Sequence, residues 1–305
     1  MIEGNTDTEN LPIKEEITQA LISGLRSTYE LHQSLGESGT KAQRLNQAGE
    51  MAMALDVQSE EKILEALRAL NISMDVVSEE HGSFTIGENP SYLVSLDGLD
   101  GSGEYKAGRG QRMYGAMVSV SQHADPAYDD YIAAGVMIHS PVPQLVLAIK
   151  NQGVFTVDLD TLERRQMQRD NDKQFSEATA IDLDRNWPPY RQVLEENGQD
   201  FPNMGCAFFS AAARVALFVE GKVDLALEWT RKGNLEHPVM YALVKELGGV
   251  MTDSNGQSIG GEHFRTFRQD THVPLVIAPN QEMANAASSR FNLPNLESQT
   301  FDRIG

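Results

Sequence analysis

The chain has 305 residues, 40% of them hydrophobic and 23% charged, and its 25 Lys and Arg against 44 Asp and Glu give a net charge of −19. This is the composition of a soluble globular protein, and so acidic a chain is a poor binder of the nucleic-acid backbone or of an anionic membrane surface. No apolar run approaches the ~20 residues that span a bilayer, the polar stretch at residues 1–7 is no signal peptide, and the single cysteine, Cys206, excludes an internal disulfide framework, so a cytoplasmic protein with a buried structural thiol is expected.

In chain order, Ile17, Ala20, Leu21 and Leu25 recur at helical spacing within a helix from Leu11 to about Leu35, which Gly36 to Gly39 ends. Asp56 opens a second amphipathic helix carried by Ile63, Leu64, Leu67 and Leu70. An acid in that first turn is also the ordinary charge partner of the helix dipole. Met74 to Ser78 reads as a strand ending at Glu79 and Glu80. Tyr92 to Leu96 reads as a buried strand that stops at Asp97, turns through Gly98, offers a second acid at Asp100 and closes in Gly101-Ser102-Gly103. Strands at 115–120, 132–138, 145–149 and 154–157, separated by polar or Pro-containing turns, predict an antiparallel meander. Segments 160–175 and 184–200 read as charged connections. Ser210 then caps an apolar helix over Ala211 to Val219, and Gly221 closes it. A strand over Val223 to Trp229 leads to Glu236, which stands before a helix with Pro238 in its first turn. Strands at 250–252 and 273–278 and a helix near 281–291 complete the chain. The second half therefore alternates strand and helix, which predicts a layered α/β architecture, divided into an N-terminal α+β sub-domain over 1–158 and a C-terminal α/β sub-domain over 159–305.

The chemistry gathers at element ends. Asp97 and Asp100 close one strand, Glu79 another, and Asp56 and Glu236 stand at helix starts. Two acids at the end of a buried strand need a cation between them, and carboxylate and loop oxygens are the ligands that Mg²⁺ prefers. The backbone N–H groups of the Gly-Ser-Gly that follows can hold an anion. Together they point to a phosphate handled by Mg²⁺. An EF-hand does not fit, because its acids alternate every second residue, nor does a P-loop, because no Gly-Lys-Ser/Thr follows. An ordinary Asp- and Gly-rich surface turn is the plain alternative.

Four motifs in order resemble those of the Mg²⁺-dependent, lithium-sensitive sugar phosphatases, the superfamily of inositol monophosphatase, fructose-1,6-bisphosphatase and bisphosphate nucleotidase. Ser78-Glu79-Glu80 is similar to that family's Gly-Glu-Glu, and Asp97-Gly98-Leu99-Asp100-Gly101-Ser102 to its Asp-Pro-Ile/Leu-Asp-Gly-Thr/Ser. Ser210 to Glu228 resembles the segment from Gly-Thr/Ser-Ala-Ala to a substrate-binding Glu, and Leu235-Glu236 with Ala242 to Gly249 resembles the Trp-Asp helix that ends in Glu-Ala-Gly-Gly. The resemblance covers roughly residues 50–280 and implies an α-β-α-β-α sandwich and a phosphoric monoester hydrolase using two or three Mg²⁺ ions. It implies that Glu79, Asp97 and the carbonyl of Leu99 hold one ion, and that Asp97 bridges to another held by Asp100 and Glu236. Asp56 paired with Ser102 would activate the attacking water, Gly101 and Ser102 would bind phosphate through their N–H groups, and Glu228 would face substrate hydroxyls. The substrate would be a small phosphorylated inositol, sugar or nucleotide, and a homodimer is expected from resemblance alone.

The chain departs from the pattern at Gly98, where Pro is usual and whose freedom should loosen the turn, and at Leu235-Glu236, where Trp-Asp is usual. These departures motivate a second reading, a weakened relative that binds a sugar phosphate as a sensor or scaffold. The loop from Glu104 to Arg112 carries Lys106, Arg109 and Arg112, either as a solvated face or as a clamp for a second phosphate or a sugar hydroxyl. The histidines show no metal-binding spacing, and His237 reads first as a surface residue at a helix start.

Overall fold

The central strands of the first sheet are buried on both faces, and successive residues along each strand face different helical layers. The computed structural model describes residues 11–46, 51–108, 110–184, 190–201, 203–205, 210–230, 232–269 and 271–297. Helix α1 (Leu11–Leu35) is followed by a small antiparallel hairpin of β1 (Ala42–Leu45) and β2 (Met51–Met53), and α2 (Ala54–Arg68) starts directly after it. Next come β3 (Met74–Ser78), β4 (Gly82–Ile86), β5 (Tyr92–Asp100), the short helix α3 (Ser102–Gly108) and β6 (Tyr114–Gln122). The meander continues through β7 (Tyr131–Ser140), β8 (Gln144–Ile149), β9 (Gly153–Val157) and β10 (Arg164–Gln166). These strands form one eight-stranded sheet in the order β10-β9-β8-β7-β6-β5-β3-β4, antiparallel except for the parallel pair β3–β5.

The second half begins with β11 (Ile181–Leu183), α4 (Tyr190–Asn197), β12 (Met204–Gly205), α5 (Ala211–Val219) and β13 (Leu225–Trp229). It ends with α6 (His237–Glu246), β14 (Val250–Thr252), β15 (Pro274–Ala278), α7 (Gln281–Arg290) and α8 (Leu293–Glu297). Its five strands lie in the order β12-β11-β13-β15-β14, with the first three parallel and the last two pairings antiparallel.

Three apolar cores show the layering. Leu21 and Leu25 of α1 and Leu64 and Leu67 of α2 pack on Val94, Val118, Ala133 and Leu147 of the first sheet. The residues next in sequence, Met117 and Ala134, point the other way, as the two-residue period of a strand requires, and meet Val215 and Phe218 of α5 and Val239 and Leu243 of α6. The same middle core reaches Ala226 and Ile277 of the second sheet, whose far face (Leu225, Leu227, Val276) is covered by Val193 of α4, Met283 of α7 and Leu293 of α8. The order is α-β-α-β-α, as expected.

Sequence and structure part in several places. Strand β5 does not stop at Asp97 but runs through both aspartates to Asp100. The segments read as connections contain β10 and α4, β11 lies between them where no element was assigned, and the loop after Ser102 is helical as far as Gly108. Among the described residues no helix is long and apolar enough to cross a membrane.

Candidate metal centre

Asp97 and Asp100 would point to opposite faces of a regular strand, because they are an odd number of residues apart. A bulge prevents this. Asp97 pairs with Met117 and Asp100 with Gly115, so β5 carries one residue more than β6 across the interval. The extra residue brings both side chains to one side, and oxygens of Asp97, Asp100 and Glu236 lie within 4.8 Å of one another. Glu236 arrives from the second half as the residue before α6, and its carboxylate does not cap its own helix. Helix α6 is pinned to the first sheet, where Tyr241 donates to Asp129 at 2.5 Å and Glu246 accepts from Tyr131 Oη at 2.5 Å and from the amides of Asn151 and Gly153.

Asp97 is 3% exposed and Asp100 6%. Burial pushes the Asp97 carboxyl well above its ordinary range, and the charges of Glu79, Asp100 and Glu236 push it further. Four carboxylates that repel one another in a desolvated site fit a cation, and an all-oxygen donor set fits a hard divalent one. The Asp97 Oδ1 accepts from the Leu99 amide at 2.8 Å, and Asp100 Oδ2 accepts from the Ala212 amide in the first turn of α5 at 2.6 Å. That turn is capped by Ser210, whose hydroxyl accepts from the Ala213 amide as expected. Gly101, at φ +91, is wedged where a Cβ would lie 2.8 Å from Cβ of Ser210 and 3.0 Å from Cβ of Tyr114, so only glycine fits between the two halves here.

Asp56 does what a first-turn acid does, since its Oδ2 accepts from the Met53 amide at 2.7 Å. Its Oδ1 is buried without a hydrogen-bond partner. Burial raises its pKa to about 7, the Met53 bond and nearby Lys106 oppose the rise, and Glu80 and Glu60 add to it. Asp56 and Ser102 share no hydrogen bond in this structure. Of the three basic residues singled out after Ser102, Arg112 folds back onto Glu104 at 2.8 Å, Lys106 is exposed, and Arg109 lies outside the described residues, as does Cys206.

The Pro-to-Gly departure does not loosen the turn as expected. A Cβ on Gly98 would lie 2.5 Å from the Asp56 carbonyl oxygen and 2.8 Å from Cγ of Glu60, so the metal-bearing strand sits directly on the backbone of α2. Glu228 is also placed differently from the expectation. It is 1% exposed and paired with Nη1 of Arg214, whose Nε donates to Asp182 at 2.7 Å with Asp184 at 3.9 Å. Burial opposes the charge of Arg214, but Glu228, Asp182 and Asp184 more than offset it and hold the guanidinium firmly protonated. His237 is buried, not at the surface.

Two participants escaped the sequence reading. Glu60 lies four residues after Asp56, hence on the same face of α2, and its carboxylate faces the loop that carries Glu79. Arg214 is the one charged residue in the run Ala211 to Val219, and a lone cation in an apolar helix must be buried and paired. Either could have been found from spacing.

An acidic oxygen centre built from the end of β3, β5 and the start of α6, beside the first turn of α5, is a donor set that suits a hard divalent cation. Comparison with known proteins agrees. The model of the inositol monophosphatase family matches residues 7–292, and the chain belongs to that family. It is 31% identical over 183 residues to a class 1 fructose-1,6-bisphosphatase of Halorhodospira halophila (51% of this chain, 54% of the relative). It is 32% identical over 176 residues to the corresponding protein of Acinetobacter baumannii, covering 53% of each. The chain thus spans about half the length of the curated relatives it matches. Among solved structures, the extragenic suppressor protein suhB of Bartonella henselae superposes with a TM-score of 0.70 at 16% identity (90% of this chain, 98% of the other), and the fructose-1,6-bisphosphatase of Leishmania major with 0.67 at 17% (91% and 93%). At these identities the likeness establishes the fold.

Proposed function

We propose that this chain is a Mg²⁺-dependent phosphomonoesterase acting on a small phosphorylated sugar, polyol or nucleotide. The observation that carries the reading is the convergence of Asp97, Asp100 and Glu236 oxygens within 4.8 Å, with the charge of Glu79 acting on Asp97. Glu79, Asp97, the Leu99 carbonyl, Asp100 and Glu236 would hold the metal. Mg²⁺ bound there would neutralise phosphate charge and acidify the attacking water.

The other roles belong to the chain. Amides of Gly101 and Ser102 orient the phosphate oxygens, since Gly101 brings the backbone to the site without a side chain in the way. Asp56 Oδ1 takes up a proton from the nucleophilic water. A carboxyl near pH 7 both accepts and releases protons at working pH, and its Oδ2, tied to Met53, fixes its orientation. The amide of Ala212 holds Asp100 in place from the other half, so both sub-domains must be docked for the site to form. Glu228 enters this reading as part of the Arg214 cluster, not as a free carboxylate.

Phosphate release from inositol monophosphate, fructose 1,6-bisphosphate and adenosine 3′,5′-bisphosphate, each with and without Mg²⁺ and with added Li⁺, tests the proposal. Metal-dependent release from one of them is the expected result. Binding of these compounds without turnover at saturating Mg²⁺ would overturn it.

A further inference from the structure

Glu60 contributes no atom to the acidic cluster of Asp97, Asp100 and Glu236, yet its side chain touches both metal-bearing segments. It is fully buried. Its Oε1 accepts from the amide of Glu80 at 3.1 Å. Its Oε2 accepts from the Ser78 hydroxyl at 3.0 Å and the His81 amide at 3.2 Å, and lies 2.6 Å from His81 Nδ1. Glu79 is thus clamped from the residue before it and from the two after it. The aliphatic stem of the same Glu60 is the surface on which Gly98 packs, with a Cβ there 2.8 Å from Cγ and 2.9 Å from the Glu60 amide nitrogen. Gly98 lies between Asp97 and Leu99. His81 completes the unit, since its Nε2 reaches Glu61 at 2.7 Å and the ring bridges two successive carboxylates of α2.

We infer that Glu60 is the positioning residue of this centre, holding the segments that carry Glu79 and Asp97 in place relative to each other through Ser78, Glu80, His81 and Gly98. This inference rests on the phosphatase reading of the cluster. Mg²⁺ demands near-ideal octahedral geometry, and groups that hold metal ligands in place typically change metal affinity by about 10–100-fold when lost. A buried carboxylate that accepts from three residues of one loop, on both of its oxygens, favours a single loop conformation. The chain invests in this unit where its motif departs from the family pattern. Glycine at position 98 lets the loop reach α2, and the histidine after Glu80 bridges Glu60 and Glu61.

The test is the Mg²⁺ concentration that gives half of the metal-induced rise in melting temperature, measured on substrate-free full-length protein, together with kcat at saturating Mg²⁺. Glu60→Gln turns one acceptor oxygen into a donor facing other donors. It is expected to raise the midpoint about tenfold or more while kcat at saturation stays within about threefold. Leu64→Ala, a buried change on the same helix away from both loops, should lower the metal-free melting temperature and leave the midpoint unmoved. Ser78→Ala, which removes one donor to the same carboxylate, should shift the midpoint severalfold and decides the matter if Glu60→Gln does not fold. A wild-type midpoint in the folded Glu60→Gln protein, or in Ser78→Ala when Glu60→Gln does not fold, overturns the assignment and leaves the phosphatase reading standing. A wild-type protein with no response to Mg²⁺ overturns both.

Discussion

Gly98 lies against Asp56 so closely that a Cβ at position 98 would stand 2.5 Å from the Asp56 carbonyl oxygen. The contact joins the strand that carries the metal-site aspartates to the first turn of the helix that carries the candidate base. Two of the three obstructing atoms, the Asp56 carbonyl oxygen and the Glu60 amide nitrogen, are helix backbone and cannot step aside as a flexible side chain would. Gly98→Ala should therefore destabilise the protein by about 1–3 kcal/mol and raise the Mg²⁺ requirement. Gly98→Pro, which restores the usual family residue, should do no better. Denaturant unfolding and Mg²⁺ titration of activity check this, and a proline variant with improved activity would contradict it.

Asp56 illustrates a conflict between stability and chemistry. Its folded pKa of about 7 lies above the ordinary 3.8, so between those values the folded state holds a proton that the unfolded state has released. Stability linked to this group therefore falls as pH rises through that window. Asp56→Asn removes the effect and keeps an acceptor for the Met53 amide. It should raise stability at pH 7.5 by on the order of 2–4 kcal/mol and reduce phosphate release by about 10²-fold or more. Thermal melts at pH 5 and 7.5 check the sign, because the variant's advantage should shrink at the lower pH.

How much of this was legible beforehand depends on whether a signal is local. Helix α5 with its Ser210 cap, the strands of the meander and the Pro-started α6 follow from spacing and cap chemistry within about ten residues, and all appear. The acids at 97, 100 and 236 could be named because their sequence contexts match an ordered family pattern. The bulge that turns Asp97 and Asp100 to one side belongs to the pairing with β6 and has no local signature. Gly98 was read as looseness because a turn glycine is usually about backbone freedom. Its real constraint is a neighbour 38 residues or more away in sequence, between Asp56 and Glu60. β10 and α4 were missed because short, polar segments lack the periodicity that identifies longer elements, and β11, though interior and buried, is only three residues long with a charge at its centre. Glu228 was assigned to substrate hydroxyls from the family resemblance, and its pairing with Arg214, which approaches from another element, had no local signal.

That pairing carries its own prediction. Arg214 is 1% exposed and neutralises Glu228 and Asp182 with Asp184 nearby. Arg214→Met leaves buried carboxylates without a cation and should cost about 3–5 kcal/mol, a fall of about 10 °C in melting temperature for a chain of this size. Adding Glu228→Gln and Asp182→Asn to that variant should recover much of the loss, because the two nearest uncompensated charges are then gone and only the more distant Asp184 remains. Failure of the triple variant to recover would mean that packing around the guanidinium, not charge, is what α5 needs.

Asp97→Asn separates the metal centre from the fold. Asp97 is destabilised by burial and by three neighbouring acids, so the amide should raise the metal-free melting temperature. The same change removes a ligand shared by the whole cluster and should abolish both the Mg²⁺-induced stabilisation and phosphate release. Retained Mg²⁺ stabilisation in this variant would place the metal elsewhere.

Acid stability should depend on His139, far from any metal ligand in sequence. Thr28 spends its one hydroxyl proton on the carbonyl of Leu25 at 2.7 Å, so at the 2.9 Å contact with His139 it accepts, and His139 Nε2 carries the hydrogen. The Nδ1 is then a bare, buried nitrogen without a partner, and protonating it would bury an N–H that has no acceptor. Desolvation, with the stacked His32 ring adding to it, lowers the pKa from 6.5 to about 3. Between those values the unfolded chain binds a proton that the folded one refuses, so stability falls as pH drops below 6.5. From pH 6.5 to 5.5 the cost is about 1 kcal/mol. His139→Gln, whose amide can still donate to Thr28, should lose that much less over the same interval. The wild-type and variant curves must be subtracted, because His81, held protonated by Glu60, shifts in the opposite direction and contributes the opposite slope. Parallel curves from chemical unfolding at several pH values would show that His139 titrates normally.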